Sequence, residues 1–147
     1  MKQYETFHLI KGEDLNHHGT LFAARAAAWF VEAGFVAAGC VCGTTDGIVC
    51  RNLHQMSFQR PVKIGTILRF LARVVYTGKS SFMVAVTAVD TLQEAVCIEG
   101  MITFVSTDGR GNKTEHHICL DACAEEEEER QRRWAEEIRR QGMGAGL

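Results

Sequence analysis

A chain of 147 residues with 16 Lys and Arg against 18 Asp and Glu, a net charge of -2, is long enough for one domain with a single core and has no whole-chain attraction for nucleic acid. The start Met1-Lys2-Gln3-Tyr4-Glu5 lacks the basic and apolar regions of a secretory signal, so the expected location is cytoplasmic and the six cysteines are expected to stay reduced. The spacings Cys40-x-Cys42 and Cys119-x-x-x-Cys123 differ from a C-x-x-C zinc pair, so no metal is expected, with His116-His117-x-Cys119 the one local cluster that offers ligands.

Residues 4–10 read as a strand. Asp14-Leu15-Asn16-His17-His18-Gly19-Thr20-Leu21-Phe22 then sets polar side chains, a glycine and a hydroxyl just before a helix. A helix start presents free backbone N–H groups and a partial positive charge of about half a unit, which suits an oxygen that becomes negative during a reaction. Between Leu21 and Thr44 only Arg25 and Glu32 are charged, while eight alanines accompany Phe22, Trp29, Phe30 and Phe35. A helix apolar on nearly every side is predicted to be buried on nearly every side, so the segment reads as a central helix wrapped by something else. A membrane span competes on length, but Arg25 and Glu32 would both sit in lipid at high cost, and no span is expected.

After the helix the pattern alternates. Residues 48–58, 66–76, 80–89 and 95–106 are rich in Val, Ile, Thr and Phe and read as strands, followed by a hairpin turn at 107–112. Short links between them imply antiparallel pairing, giving an α+β class with one helix and a curved sheet of five or six strands. From Asp121 the composition turns to Glu and Arg at helical spacing, which predicts a solvated, charged C-terminal helix over 121–147 that frays at 142–147, outside a domain of residues 1–120.

The loop 14–22 resembles the D-x-N-x-x-G-x-x-F-G-G helix start of hot-dog-fold acyl-CoA thioesterases. Phe58-Gln59-Arg60-Pro61-Val62-Lys63-Ile64-Gly65 is similar to that family's turn before a strand, and Val74-Val75-Tyr76-Thr77-Gly78-Lys79-Ser80-Ser81 to its basic and hydroxyl turn, in the same order and spacing. The resemblance spans roughly residues 7–112. It implies a hot-dog fold and hydrolysis of acyl-CoA to free coenzyme A and a carboxylic acid, with no cofactor, since coenzyme A is part of the substrate. It also implies a homodimer whose sheets join edge to edge and share two active sites, assembled further to a hexamer. Two departures stand out: Ala23-Ala24 replaces the family's glycine pair, and Val31 stands where the family has a catalytic aspartate. Glu32 follows directly, but one residue along a helix turns a side chain by about 100°.

Thioester hydrolysis needs an activated water, a seat for the oxyanion and a grip on coenzyme A. The N–H groups near Phe22, Ala23 and Ala24 are candidates for the oxyanion. Asn16 either orients the water or the carbonyl or serves as a turn residue, with Gly19 as a backbone device. Glu32 is the candidate base, its pKa expected to rise by desolvation, or else a structural glutamate at the dimer seam. His18 with Gly19 and Thr20 is expected at the pocket wall, His17 exposed, and His54 in the core or an interface. Arg60, Pro61 and Lys63, with Lys79, Ser80 and Ser81, are the expected handle for the phosphates. The alternatives are a non-catalytic acyl-CoA-binding or regulatory protein and a dehydratase or hydratase of the same fold. No helix-turn-helix supports DNA binding.

Overall fold

Period-two alternation produces five strands, β1 (Tyr4–Leu9), β2 (Ile48–Phe58), β3 (Ile67–Thr77), β4 (Ser81–Asp90) and β5 (Ala95–Ser106). Two helices accompany them in the computed structural model, α1 (Ala23–Cys42) and α2 (Glu126–Gly144), and the structure describes residues 1–144. The fraying expected at 142–147 lies, for residues 145–147, outside the described residues. The sheet is antiparallel throughout in the order β1-β3-β4-β5-β2. Short turns make β3, β4 and β5 a meander, which leaves β1 and β2 as the two edges.

On one sheet face Phe70 and Val74 of β3, Phe82 and Val84 of β4 and Ile102 and Phe104 of β5 form the core with α1. The helix meets them with Ala26, Phe30, Ala33, Gly34, Ala37 and Ala38, a stripe recurring every three or four residues. Its close approach depends on two missing side chains. A Cβ on Gly34 would lie 2.6 Å from Ile102 Cδ1, and one on Gly100 would lie 2.7 Å from the Phe30 ring. Gly43, left-handed at φ 76°, ends α1.

By length and composition α1 could cross a bilayer, yet here it seats on the sheet. The sheet covers one side only. Ala24, Arg25, Ala28, Glu32 and Cys40 are exposed in a single chain, so the burial expected on nearly every side is reached only where the helix faces the strands.

The charged C-terminal helix is not a solvated tail. It packs on the other sheet face, Ala135 and Ile138 lying against Val75, Met83, Ala85 and Met101. The buried positions 128, 131, 135 and 138 form a helical stripe whose first two members are polar. They are buried because they are paired: Arg73, 3% exposed, donates Nε–H to Gln131 Oε1 at 2.7 Å and also pairs with Glu125. Glu128, 1% exposed, accepts from the Met1 amino group at 2.7 Å and from Arg132 at 3.0 Å. The connection from β5 to α2 is pinned by His116, whose Nδ1 accepts the Ile118 N–H at 2.9 Å while Nε2 meets the Ser81 carbonyl at 2.8 Å. Those partners assign the neutral tautomer with the proton on Nε2.

Candidate active site

The loop before α1 is held by its own polar groups. Asp14, almost fully buried, accepts the Lys11 N–H at 2.9 Å and pairs with Arg25 at 3.3 Å, so Arg25 serves the loop rather than Glu32. Asn16 Oδ1 accepts the N–H groups of His18 (2.8 Å) and Thr20 (3.2 Å), and Nδ2 donates to Thr20 Oγ1 (3.2 Å). Its carboxamide therefore closes a turn, which Gly19 completes at φ 82° with its N–H on the Asn16 carbonyl. The Leu21 N–H then donates to the Val62 carbonyl at 2.8 Å, fastening the loop to the connection between β2 and β3.

That fastening creates a cavity of about 300 Å³, walled by Thr20, Leu21, Ala23 and Ala26 on one side and by the run from Phe58 to Val62 with Ile98 on the other. Thr20, Ala23, Arg60 and Pro61 are thus brought together from separate segments. The capping residue Phe22 offers no side-chain acceptor to the helix start. Its own N–H is taken by the Asp14 carbonyl at 2.8 Å, which removes it from the oxyanion donors, and the first N–H returned to the helix is that of Ala26, to the Phe22 carbonyl at 3.0 Å. The N–H groups of Ala23 and Ala24 remain at the open end of the helix, the former in the cavity wall.

Other expected residues lie elsewhere. His17 and His18 are exposed, their rings 3.9 Å apart, and neither lines the cavity. Lys63 lines a neighbouring pocket that shares Arg60 and Pro61. Glu32 is exposed within the single chain. Nine residues beyond Ala23, it sits about 14 Å along the axis and half a turn round the helix. It faces β1: its charge bears on His8, which stacks on Trp29 at 4.0 Å. Burial holds His8 below the usual histidine pKa, with Glu32 pulling it back upward. Val31 is one turn before Phe35, which meets Phe104 of β5 edge-on, so this row of α1 turns toward the β2 side of the sheet.

Lys79, Ser80 and Ser81 lie at the opposite end of the sheet from Arg60. Ser80 and Ser81 line a separate groove of about 460 Å³ with Arg51, Asn52, Thr103, Val105 and Lys113. His54 donates or accepts to Thr103 Oγ1 at 2.7 Å, and burial lowers its pKa. All six cysteines are free thiols, and no three His, Cys, Asp or Glu side chains converge as a metal-ligand set among the described residues.

Gln59, Val62, Ala26 and Ile98 are site residues that sequence reasoning missed. Ile98 had no local signal at all; only its pairing with Phe58 across β2 and β5 carries it to the cavity.

The family model described as the thioesterase superfamily matches residues 18–105, from the loop before α1 through nearly all of β5. No curated protein matches in sequence. Among solved structures, an apo-hexameric acyl-CoA thioesterase superposes with a TM-score of 0.84 at 21% identity, over 99% of this chain and 93% of the other. An acyl-CoA hydrolase from Staphylococcus aureus, in complex with butyryl coenzyme A, coenzyme A and coenzyme A disulfide, gives 0.79 at 23% identity, over 98% and 89%. An acyl-CoA hydrolase from Bacillus cereus gives 0.77 at 18% identity, over 99% and 94%. Those likenesses are likenesses of fold, and the fold is the hot-dog. With more than half of the chain matched by the family model, including the whole of α1 and the end of the loop before it from His18 onward, the protein belongs to the thioesterase superfamily.

Proposed function

We propose that the protein is a cytoplasmic acyl-CoA thioesterase that splits acyl-CoA into free coenzyme A and a carboxylic acid and needs no cofactor. The observation that carries this reading is the mostly apolar cavity whose wall includes the first residue of α1. A thioester carbonyl seated there meets the Ala23 and Ala24 N–H groups and the positive end of the helix, which stabilise the oxyanion as water attacks. Arg60 at the cavity wall meets the anionic coenzyme A portion.

The active unit we propose is a homodimer joined at the β2 edges. Support comes from the free row of backbone groups on that edge and from exposed Val49, Leu53 and Phe58 along it. Antiparallel pairing of two β2 strands sets the Phe58 end of one beside the Ile48 end of the other, so two cavities abut one seam. Exposed Phe7 and Leu9 on β1 provide a second apolar surface for building dimers into a hexamer, the state named for several neighbours of this fold.

Two observations favour a second reading, a non-catalytic acyl-CoA binder: among the described residues no carboxylate or histidine lines the cavity, and Val31 occupies the row that turns toward β2. Release of free thiol from acyl-CoAs of graded chain length decides between them. Thiol release at any length supports the hydrolase; saturable binding without release at every length supports the binder.

A further inference from the structure

We propose that Glu99 and Arg130 are positioning residues for the cavity at the start of α1, through which the C-terminal helix sets the wall that carries Phe58, Gln59 and Arg60. That α2 holds this wall rests on geometry alone. What binds against the wall rests on the acyl-CoA reading.

The helix grips the last stretch of β2 at two points. Between His54 and Ser57 the strand gains one residue over β5, and in that bulge Gln55 stands in the left-handed region at φ 50°. A residue with a side chain stays there only when its surroundings hold it. The holder comes from α2: Trp134 donates its indole N–H to Gln55 Oε1 at 2.7 Å. Four residues further on, Gln59 donates from Nε2 to Glu99 Oε1 at 3.2 Å, and the other Glu99 oxygen accepts from Arg130 Nη2 at 3.1 Å. One carboxylate thus bridges the cavity wall to the helix. Arg130 is itself fixed, since its Nε and Nη2 donate to the two oxygens of Glu127 at 3.0 and 2.7 Å and its guanidinium lies over the Trp134 ring, 5.8 Å from the centroid.

Backbone bonds set this wall only at its ends. The N–H groups of Gln59 and Arg60 share one acceptor, the Cys97 carbonyl, at 2.7 and 3.4 Å; Pro61 has no N–H to give; and the Val62 carbonyl accepts the Leu21 N–H at 2.8 Å. Between those fastenings, the angle at which the chain leaves β2 decides how far Phe58, Gln59 and Arg60 stand from Ala23 across the cavity. A Gln59 side chain anchored through Glu99 to α2 fixes that angle. The Glu99 and Arg130 side chains are 24% and 43% exposed, so their pairing adds little to stability. Its weight lies in placement, because a displacement of about 1 Å in a wall that seats a substrate can cost far more than the pair itself.

The test uses the full chain and butyryl coenzyme A, with thiol release followed across substrate concentration. Glu99→Ala and Arg130→Ala are each expected to raise KM about three- to tenfold with kcat nearly unchanged, since the N–H groups on the opposite wall stay in place. Combined, they should lose less than the product of the two, because either one cuts the same tie. Glu99→Gln keeps an acceptor for Gln59 and should retain most of the affinity. A purely structural contribution reads differently: fewer folded molecules lower kcat and leave KM where it was. Arg133→Ala, which removes an exposed pair with Glu129 on the same helix, should change neither constant. Wild-type KM in both alanine variants, a fall in kcat alone, or fully multiplicative losses in the double variant overturns the proposal. Should Arg130→Ala release α2, Glu99→Ala decides, since Arg73 still holds the helix through Gln131. If wild-type protein releases no thiol, the hydrolase reading fails, and the dissociation constant for butyryl coenzyme A takes the place of KM with the same expected shifts. Absence of both release and binding overturns both.

Discussion

Ala23 offers a clean separation of backbone chemistry from side-chain bulk. Phe22, before it, is extended at φ -66° and ψ 126°, the conformation that a following proline requires. The first helical position needs no N–H for the helix itself, so proline fits there. Ala23→Pro therefore deletes one oxyanion donor while α1 stays folded, and kcat is expected to fall by about a hundred- to a thousand-fold. Ala23→Val adds similar bulk to the wall but keeps the donor, and should lose far less. Equal losses in the two variants would show that space, not the N–H, is what the reaction uses. Glu32→Gln is expected to leave thiol release nearly unchanged, because the side chain is exposed and turned toward His8 on β1. A hundredfold fall would instead place it at the reacting water.

The attachment of α2 should depend on acid. Burial works against ionisation of Glu128, but the bonds from the Met1 amino group and Arg132 overcome it and leave its pKa below the ordinary glutamate value. A hydrogen bond from Arg130 lowers that of Glu127. A carboxyl depressed in the folded state contributes stability that is complete above its unfolded pKa and is lost as pH falls through the folded one. Titration from pH 6 downward should thus release α2 below about pH 4, ahead of the sheet, as a change in Trp134 emission in a Trp29→Phe background. Trp134 reports directly because its indole donates to Gln55 on β2 at 2.7 Å. Simultaneous loss of emission and far-UV signal would mean that helix and sheet unfold as one. This helix also marks a limit of sequence reading. Its existence was plain from Glu and Arg spacing, but its docking was hidden, since Glu128 and Gln131 look solvated until Arg73, 58 residues from Gln131, arrives as a partner. The strands and α1 were legible because each carries its own period. The loop 14–22 was legible as a local pattern. The opposite cavity wall was not, nor was the direction of Glu32, because both depend on which strand lies alongside.

At the level of the assembly, the β2 edge decides whether two half-covered sites become complete ones. Val49, Leu53 and Phe58 are 49%, 46% and 52% exposed on a strand whose outer edge pairs with no other strand among the described residues. A lysine in the middle of such an edge opposes pairing without disturbing the sheet behind it. Leu53→Lys is expected to sediment as a monomer at micromolar concentration, with near-native circular dichroism and little thiol release. A variant that stays dimeric would move the interface elsewhere, and an active monomer would show that each cavity is sufficient alone.

The strand order also has a consequence in time. The hairpins joining β3 to β4 and β4 to β5 bring together neighbours in the chain and should close within microseconds. β2 must cross the meander to reach β5, pairing Phe58 with Ile98 and Ile48 with Ser106. Like β1, which reaches β3 through the distant pair Leu9 and Ile67, β2 therefore has a costly loop to close and joins after the meander. β2 also forms the proposed seam, so a late intramolecular step and the first intermolecular one compete for a single edge. Refolding from denaturant should show a fast phase independent of protein concentration and a slow phase that accelerates with it. For the newly made chain, the moment of greatest exposure to misassociation is the interval after the meander has formed and before β2 has found its place.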